Sequence, residues 1–280
     1  MWVIFHKQCL DGTASASAVL KKYPEVRLFP ISHSYTEIQE ILKLKEETIF
    51  ILDFMLSKKD IEILLKNKNQ VIHIDHHTSC SKEVEHLKKY ENFTSIFDLN
   101  HSASYLAWNY LHNFIPKLIF YIEDRDLWKK QFKETDVLCY YLFSKVLDKP
   151  EQLLNYLETP IEEIYQKGII VQEYIESNIQ QILEKNEPIW LHVGGMFRKH
   201  KIPAINSNIY ISEIGNELAK RYSGIACIFS ISDGTVHLSF RSIEGTILNA
   251  KDMAEHFGGG GHKHASGARI SIKKFFKLIK

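Results

Sequence analysis

Residues 71–77 read Val71-Ile72-His73-Ile74-Asp75-His76-His77. A short apolar run stops at an aspartate, and two histidines follow. The run is strand length, and its near-continuous apolarity predicts a strand buried on both faces. The same pattern recurs upstream. Residues 2–5 form a short apolar strand, with His6 just beyond it and Asp11 soon after. Residues 26–31 read as a second strand and residues 49–52 as a third, which ends at Asp53. Residues 95–97 offer a fifth. Helical patterns at residues 13–23, 36–44 and 60–66 lie between them. This alternation predicts an α/β fold with a parallel sheet.

In such a sheet the carboxyl ends of the strands share one edge, and ligands bind there. Three strand ends would therefore deliver His6 and Asp11, then Asp53, then Asp75, His76 and His77 to a common rim. Singly, Asp11-Gly12 reads as a turn, Asp53 and Asp75 as helix caps, and His73 as a sheet residue without a special role. Those readings do not explain why all the acidic and imidazole groups fall at strand ends. Carboxylate and imidazole without a thiolate pair suit manganese or a similar divalent ion better than structural zinc. Glu123-Asp124-Arg125-Asp126 follows an apolar helix, and a solvated charged helix end is the default for such a run.

Downstream, residues 102–114 and 117–122 fit helices, and residues 161–185 form one long amphipathic pattern. Expected domains are residues 1–150, a linker helix within 151–187, and a smaller α+β domain at 188–280. In the last, strands are expected at 189–193, 202–205, 225–230 and 236–240, with Asp233-Gly234 as a hairpin turn. Helices are expected at 209–222 and 249–257. The run Gly258-Gly259-Gly260-Gly261-His262-Lys263-His264 precedes a strand at 268–272. Glycines let backbone N–H groups approach an anion, and His262 and His264 add hydrogen-bonding heads. Arg241 could clamp a phosphate with two parallel bonds.

Composition narrows the partners. The 280 residues carry 35 basic and 34 acidic side chains, a net charge of +1. That excludes the broad positive surface that grips long duplex nucleic acid. The cysteines Cys9, Cys80, Cys139 and Cys227 show no finger or redox spacing, which fits a reducing cytoplasm. The first residues turn polar too soon for a signal peptide, and no apolar run approaches the ~20 residues that span a membrane.

Together, His6 with Asp11-Gly12, the strand-end Asp53, the Asp75-His76-His77 triplet and the glycine–histidine run resemble the DHH phosphoesterases, close to the nano-RNase and 3′-phosphoadenosine 5′-phosphate phosphatase members. The resemblance covers nearly the whole chain. It implies a catalytic domain, the linker helix, a DHH-associated substrate-binding domain and two Mn²⁺ ions. His6, Asp11, Asp53, His76 and Asp124 would be metal ligands, with Asp126 the alternative to Asp124. Asp53, Asp75 and His77 would be catalytic, Asp75 orienting its neighbours. Arg241, Gly259, Gly260, Gly261, His262 and His264 would bind substrate phosphate. The chain departs from the pattern at Cys9, which stands near the place of an expected aspartate. The substrates implied are small nucleotides or short oligonucleotides, cleaved by an activated water. A homodimer is compatible with this reading. The competing readings are a RecJ-like single-strand exonuclease and a non-catalytic nucleotide sensor.

Overall fold

A computed structural model describes residues 1–32, 38–194, 200–222 and 224–279. The chain divides into two units, residues 1–173 and 174–280.

The first unit opens with β1 (Trp2–His6), α1 (Leu10–Lys22), β2 (Arg27–Ile31) and β3 (Thr48–Leu52). It continues with α2 (Lys58–Lys66), β4 (Gln70–Asp75), α3 (Ser81–Leu87) and β5 (Phe93–Phe97). The five strands form one parallel sheet in the order β2-β1-β3-β4-β5. The expected helix at residues 36–44 lies partly outside the described residues, and its described end holds only a 3₁₀ turn at Ile41–Lys43. Alternate residues feed opposite faces of the sheet. Val3, Phe5, Phe50, Leu52 and Ile74 join one core, whereas Ile4, Ile49, Ile51 and Val71 join the other. Both faces are covered, which is why the strands read as unbroken apolar runs.

Helix α1 is buried from Leu10 to Val19. Its small residues Ala14, Ala16 and Ala18 allow close packing, while Thr13 and Ser15 return their hydroxyls to carbonyls four residues earlier, Cys9 and Asp11. That satisfies polar side chains inside a core. Helices α4 (Ala103–Leu111), α5 (Lys117–Asp126), α6 (Thr135–Val146) and α7 (Pro150–Leu157) follow. Helix α8 (Ile161–Lys185) begins in the first unit and ends in the second.

The second unit contains β6 (Ile189–Val193), β7 (His200–Asn206), α9 (Ile211–Arg221), β8 (Ile225–Ser232) and β9 (Thr235–Ser242). It ends with α10 (Ala250–His256), β10 (Gly260–His262), β11 (Ala265–Ser271) and α11 (Ile272–Phe276). The sheet order is β10-β11-β9-β8-β7-β6, antiparallel except for β7 and β8, which α9 connects. At the β8–β9 turn Asp233 and Gly234 have φ of 49° and 73°, the two left-handed residues that a type I′ turn requires. Helix α10 covers one face of the sheet, and α9 with the last turns of α8 covers the other.

Candidate metal centre

The register of the first sheet sets the site. Phe5 pairs with Leu52, and Leu52 with Ile74. The next residue on each strand is His6, Asp53 or Asp75, so these three form a row at the carboxyl edge. The strand order reverses direction between β1 and β3, which is where parallel sheets open a crevice. Asp53 leaves its strand with φ of 63°. Aspartate tolerates this left-handed conformation better than most residues.

Asp53 divides its carboxylate. Oδ2 lies 3.3 Å from His6 Nδ1, and Oδ1 lies 3.6 Å from His76 Nε2. Two donor groups surround it. Donor atoms of His6, Cys9 and Asp53 lie within 4.8 Å of one another, as do those of Asp11, His76 and Asp126. His76 Nε2 is 3.2 Å from Asp126 Oδ2 and 4.0 Å from Asp11 Oδ2.

Asp11 is anchored from across the fold. Its oxygens accept the Ala103 and Ser104 N–H groups at 2.8 and 3.0 Å, at the start of α4. Orphan N–H groups at a helix start suit a carboxylate. Burial nevertheless pushes the Asp11 carboxyl up to about 8, reinforced by the charges of Asp126 and Asp53 and opposed by His76 and Ser104. For His76, burial alone would lower the pKa, but the bond to Asp53 and the charges of Asp126, Asp11 and Asp53 raise it to about 10. Burial pushes the Cys9 thiol up, with the three nearby carboxylates adding to it. Desolvation opposes ionisation of Asp53, but hydrogen bonds from His6 and His76 hold it well below the usual carboxylate range. The buried carboxylates of Asp11 and Asp53 and the more exposed one of Asp126, converging on imidazoles, are the donor set of a hard divalent cation, whose charge would hold them ionised.

Asp75 stands behind this group, wholly buried. Its Oδ1 accepts the N–H of His76 at 2.7 Å and bonds His77 Nδ1 at 2.6 Å, while Oδ2 accepts the Cys80 thiol at 3.1 Å. Burial opposes ionisation of Asp75, yet the bonds to His73 and His77 keep its carboxyl well below the usual range. His77, although largely desolvated, is raised to about 9 by its bond to Asp75.

Two residues depart from expectation. His73 is not idle in its strand: Nε2 lies 3.4 Å from Asp75 Oδ2, and Nδ1 is 3.0 Å from Ser95 Oγ. The signal was the strand period, since residues two apart on β4 share a face. The second is Asp124, expected as a ligand. It turns into the protein, where Oδ1 accepts the Gln131 N–H at 2.8 Å and Oδ2 accepts the Thr135 hydroxyl at 2.5 Å. Asp126, two positions on, faces His76 instead. Nor is the acidic run a solvated helix end, for Glu123, Asp124 and Arg125 are all buried. Glu123 accepts the Ser102 N–H, and Arg125 pairs with Asp136 at 2.6 Å.

In the second unit, Arg241 donates to Ser212 Oγ at 2.9 Å and to the Phe240 carbonyl at 2.8 Å. His264 Nδ1 lies 3.0 Å from Ser242 Oγ. His262 ends β10, half-buried. The glycines differ among themselves. A Cβ on Gly259 would stand 2.0 Å from the Gly267 carbonyl, and one on Gly261 would stand 2.8 Å from that of Ala265. Gly260 has no such neighbour within 4 Å. Part of the run thus serves the close approach of β10 to β11.

Residues 193–280 match the DHHA1 domain. Over 96% of its length the chain is 25% identical to protein R106 of Acanthamoeba polyphaga mimivirus, covering 67% of that protein. It is 33% identical over 73 residues to oligoribonuclease NrnB of Bacillus subtilis, which is 26% of this chain and 18% of NrnB. Among solved structures, the pGpG-specific phosphodiesterase PggH of Vibrio cholerae matches 99% of the chain and 96% of its own, with TM-score 0.53 and 12% identity. RecJ of Thermus thermophilus, in complex with Mn²⁺, matches 99% of the chain with TM-score 0.51 and 14% identity. The chain spans 50% of RecJ. The two structural likenesses are ones of fold.

Proposed function

We propose, on the premise that this chain belongs to the DHH phosphoesterase family, that it hydrolyses phosphoester bonds of small nucleotides or short oligonucleotides with the help of Mn²⁺. The observation that carries the reading is Asp53, with one carboxylate oxygen toward His6 and the other toward His76. Such a carboxylate can serve two cation positions at once. His6 and Asp53 would hold one ion, and Asp53, Asp11, His76 and Asp126 the other. Ions so held supply neutralisation of phosphoryl charge and a water of lowered pKa.

The remaining work falls to the chain. Asp75 fixes His77 through Nδ1, which turns the Nε2 edge of the ring away from that carboxylate. In the metal-free chain His77 has its pKa raised to about 9 by the bond to Asp75. It can donate a hydrogen bond to a phosphoryl oxygen or a proton to the leaving oxygen. Asp75 also takes the His76 N–H, holding the ligand's backbone in place. Arg241, His262, His264 and the glycines at 259–261 are the proposed substrate-binding residues of the second unit. Within the chain we assign residues 1–150 to catalysis and 188–280 to substrate binding, with residues 151–187 linking them.

The named activities of NrnB and PggH, on oligoribonucleotides and on pGpG, support a short nucleotide substrate over a long strand. The test is a panel of dinucleotides, 3′-phosphoadenosine 5′-phosphate, cyclic dinucleotides and single-stranded DNA, assayed with Mn²⁺, Mg²⁺ and Zn²⁺. Turnover of the short substrates, lost in His76→Ala, is expected. Cleavage of none of them would sink the reading, and a preference for single-stranded DNA would favour an exonuclease.

A further inference from the structure

The two donor groups around Asp53 are chemically unlike. Asp11, His76 and Asp126 offer two carboxylates and one imidazole. On the other side, His6 and Asp53 are joined by a sulfur, Cys9. Two local features put that sulfur there.

Cys9 is the N-cap of α1, with extended φ and ψ of −118° and 131°, and its Sγ accepts the Gly12 N–H at 3.5 Å. The cap fixes the direction of the side chain. Gly12 lets the start of α1 close onto the end of β1, since a Cβ there would stand 2.5 Å from the His6 carbonyl oxygen. That closeness brings Cys9 beside the His6 ring. The Cys9 sulfur thereby comes within 4.8 Å of a carboxylate oxygen of Asp53. The other cysteines have different surroundings: Cys80 donates to Asp75, Cys139 to the Tyr121 carbonyl, and Cys227 is buried in the core of the second unit.

We infer that Cys9 is a thiolate ligand of the cation position it shares with His6 and Asp53, and that it makes this position softer than the one at Asp11, His76 and Asp126. The assignment rests on the metal-dependent reading of the same site. As the ion binds, the thiol proton passes to solvent and a metal–sulfur bond takes its place. A sulfur, nitrogen and oxygen donor set prefers zinc, cobalt or iron(II) to manganese or magnesium, whereas a carboxylate-rich set accepts the harder ions. The centre would then be asymmetric, with one ion bound more tightly and of a different class from its neighbour.

The full chain, stripped of metal and titrated with Co²⁺, tests this. Uptake is followed by equilibrium dialysis and by the sulfur-to-cobalt charge-transfer absorption in the near ultraviolet. The wild-type chain is expected to take up two ions and to develop the band with one of them. Cys9→Ser should lose the band and keep the other ion. Cys9→Asp should bind two ions without the band and shift the Zn²⁺-to-Mn²⁺ affinity ratio about tenfold or more toward Mn²⁺. His76→Ala should keep the band. Cobalt uptake without a charge-transfer band, or a band that survives Cys9→Ser, would overturn the sulfur ligand and leave the metal centre standing. No cobalt uptake at all would instead remove the centre itself, and Cys9 with it.

Discussion

Gly12 and His6 sit against one another so closely that no side chain fits between them. A Cβ on Gly12 would stand 2.5 Å from the His6 carbonyl oxygen and 3.0 Å from the His6 Cβ. The first turn of α1 and the end of β1 are therefore set by a single missing methyl group. Gly12→Ala is expected to destabilise the protein by about 1–3 kcal/mol through overpacking. Urea unfolding measures it. Because His6 and Asp11 flank the contact, metal affinity should fall as well, and a fully stable Gly12→Ala variant would mean that the two backbones separate easily.

Asp124 and Asp126 are separated by one residue but face different surroundings. Asp124 holds the Gln131 N–H and the Thr135 hydroxyl, so Asp124→Ala leaves buried donors unsatisfied and should cost about 1–3 kcal/mol of stability. Asp126→Asn should leave stability nearly intact and lower metal affinity and turnover on the order of 10–100-fold or more. Calorimetric metal titration with thermal unfolding separates the two. If Asp124→Ala abolished metal binding while leaving Tm unchanged, the assignment of these aspartates would be reversed.

The metal-free protein should lose stability as pH rises. His76 and His77 keep their protons to about 10 and about 9 when folded, against an ordinary value of 6.5. Asp11 behaves alike, protonated to about 8 against 3.8. Across these windows the folded chain binds more protons than the unfolded one, so stability present at low pH disappears as pH climbs. Asp53 and Asp75 act oppositely, contributing above the ordinary carboxylate range and failing only in acid. The metal-free chain should therefore weaken between about pH 6.5 and 9, and saturating Mn²⁺ should reverse the trend by displacing the protons. Chemical denaturation at several pH values checks this, and a metal-free stability that rises through that window would contradict it.

Gly259 and Gly260 distinguish structure from binding in the glycine run. Gly259→Ala would press on the Gly267 carbonyl at 2.0 Å and should lower Tm. Gly260 has nothing within 4 Å of the added Cβ, so Gly260→Ala should fold normally. If the run receives substrate, that second variant should raise KM several-fold with little change in stability. An unaltered KM would assign the run to the β10–β11 hairpin alone.

The sheet was legible because both of its faces are buried, which leaves apolar runs that end abruptly at His6, Asp53 and Asp75. The Asp233-Gly234 turn was legible because few residues adopt two successive left-handed conformations. Helices α6 and α7 were not read, for their pattern is diluted by aromatic and polar residues that pack within the α-helical layer. The choice between Asp124 and Asp126 could not be made from spacing, since both lie in the last turn of α5 and only the loop that follows decides which one turns inward. The role of His73 was hidden by its apolar neighbours, although its two-residue offset from Asp75 was in plain view.

The centre is drawn from distant parts of the chain, from His6 near its start to Asp126 at the end of α5, with Asp11 pinned by the N–H groups of residues 103 and 104. Contacts of such long sequence separation carry a large loop-closure cost during folding. A small zinc module gathers nearby ligands and folds around its ion, but this chain has to close its sheet and dock α4 and α5 before the cation position at Asp11, His76 and Asp126 exists. Asp53 and Asp126 are brought together there, and capture of an ion would lock the N-terminal unit shut and slow its unfolding more than it hastens its folding.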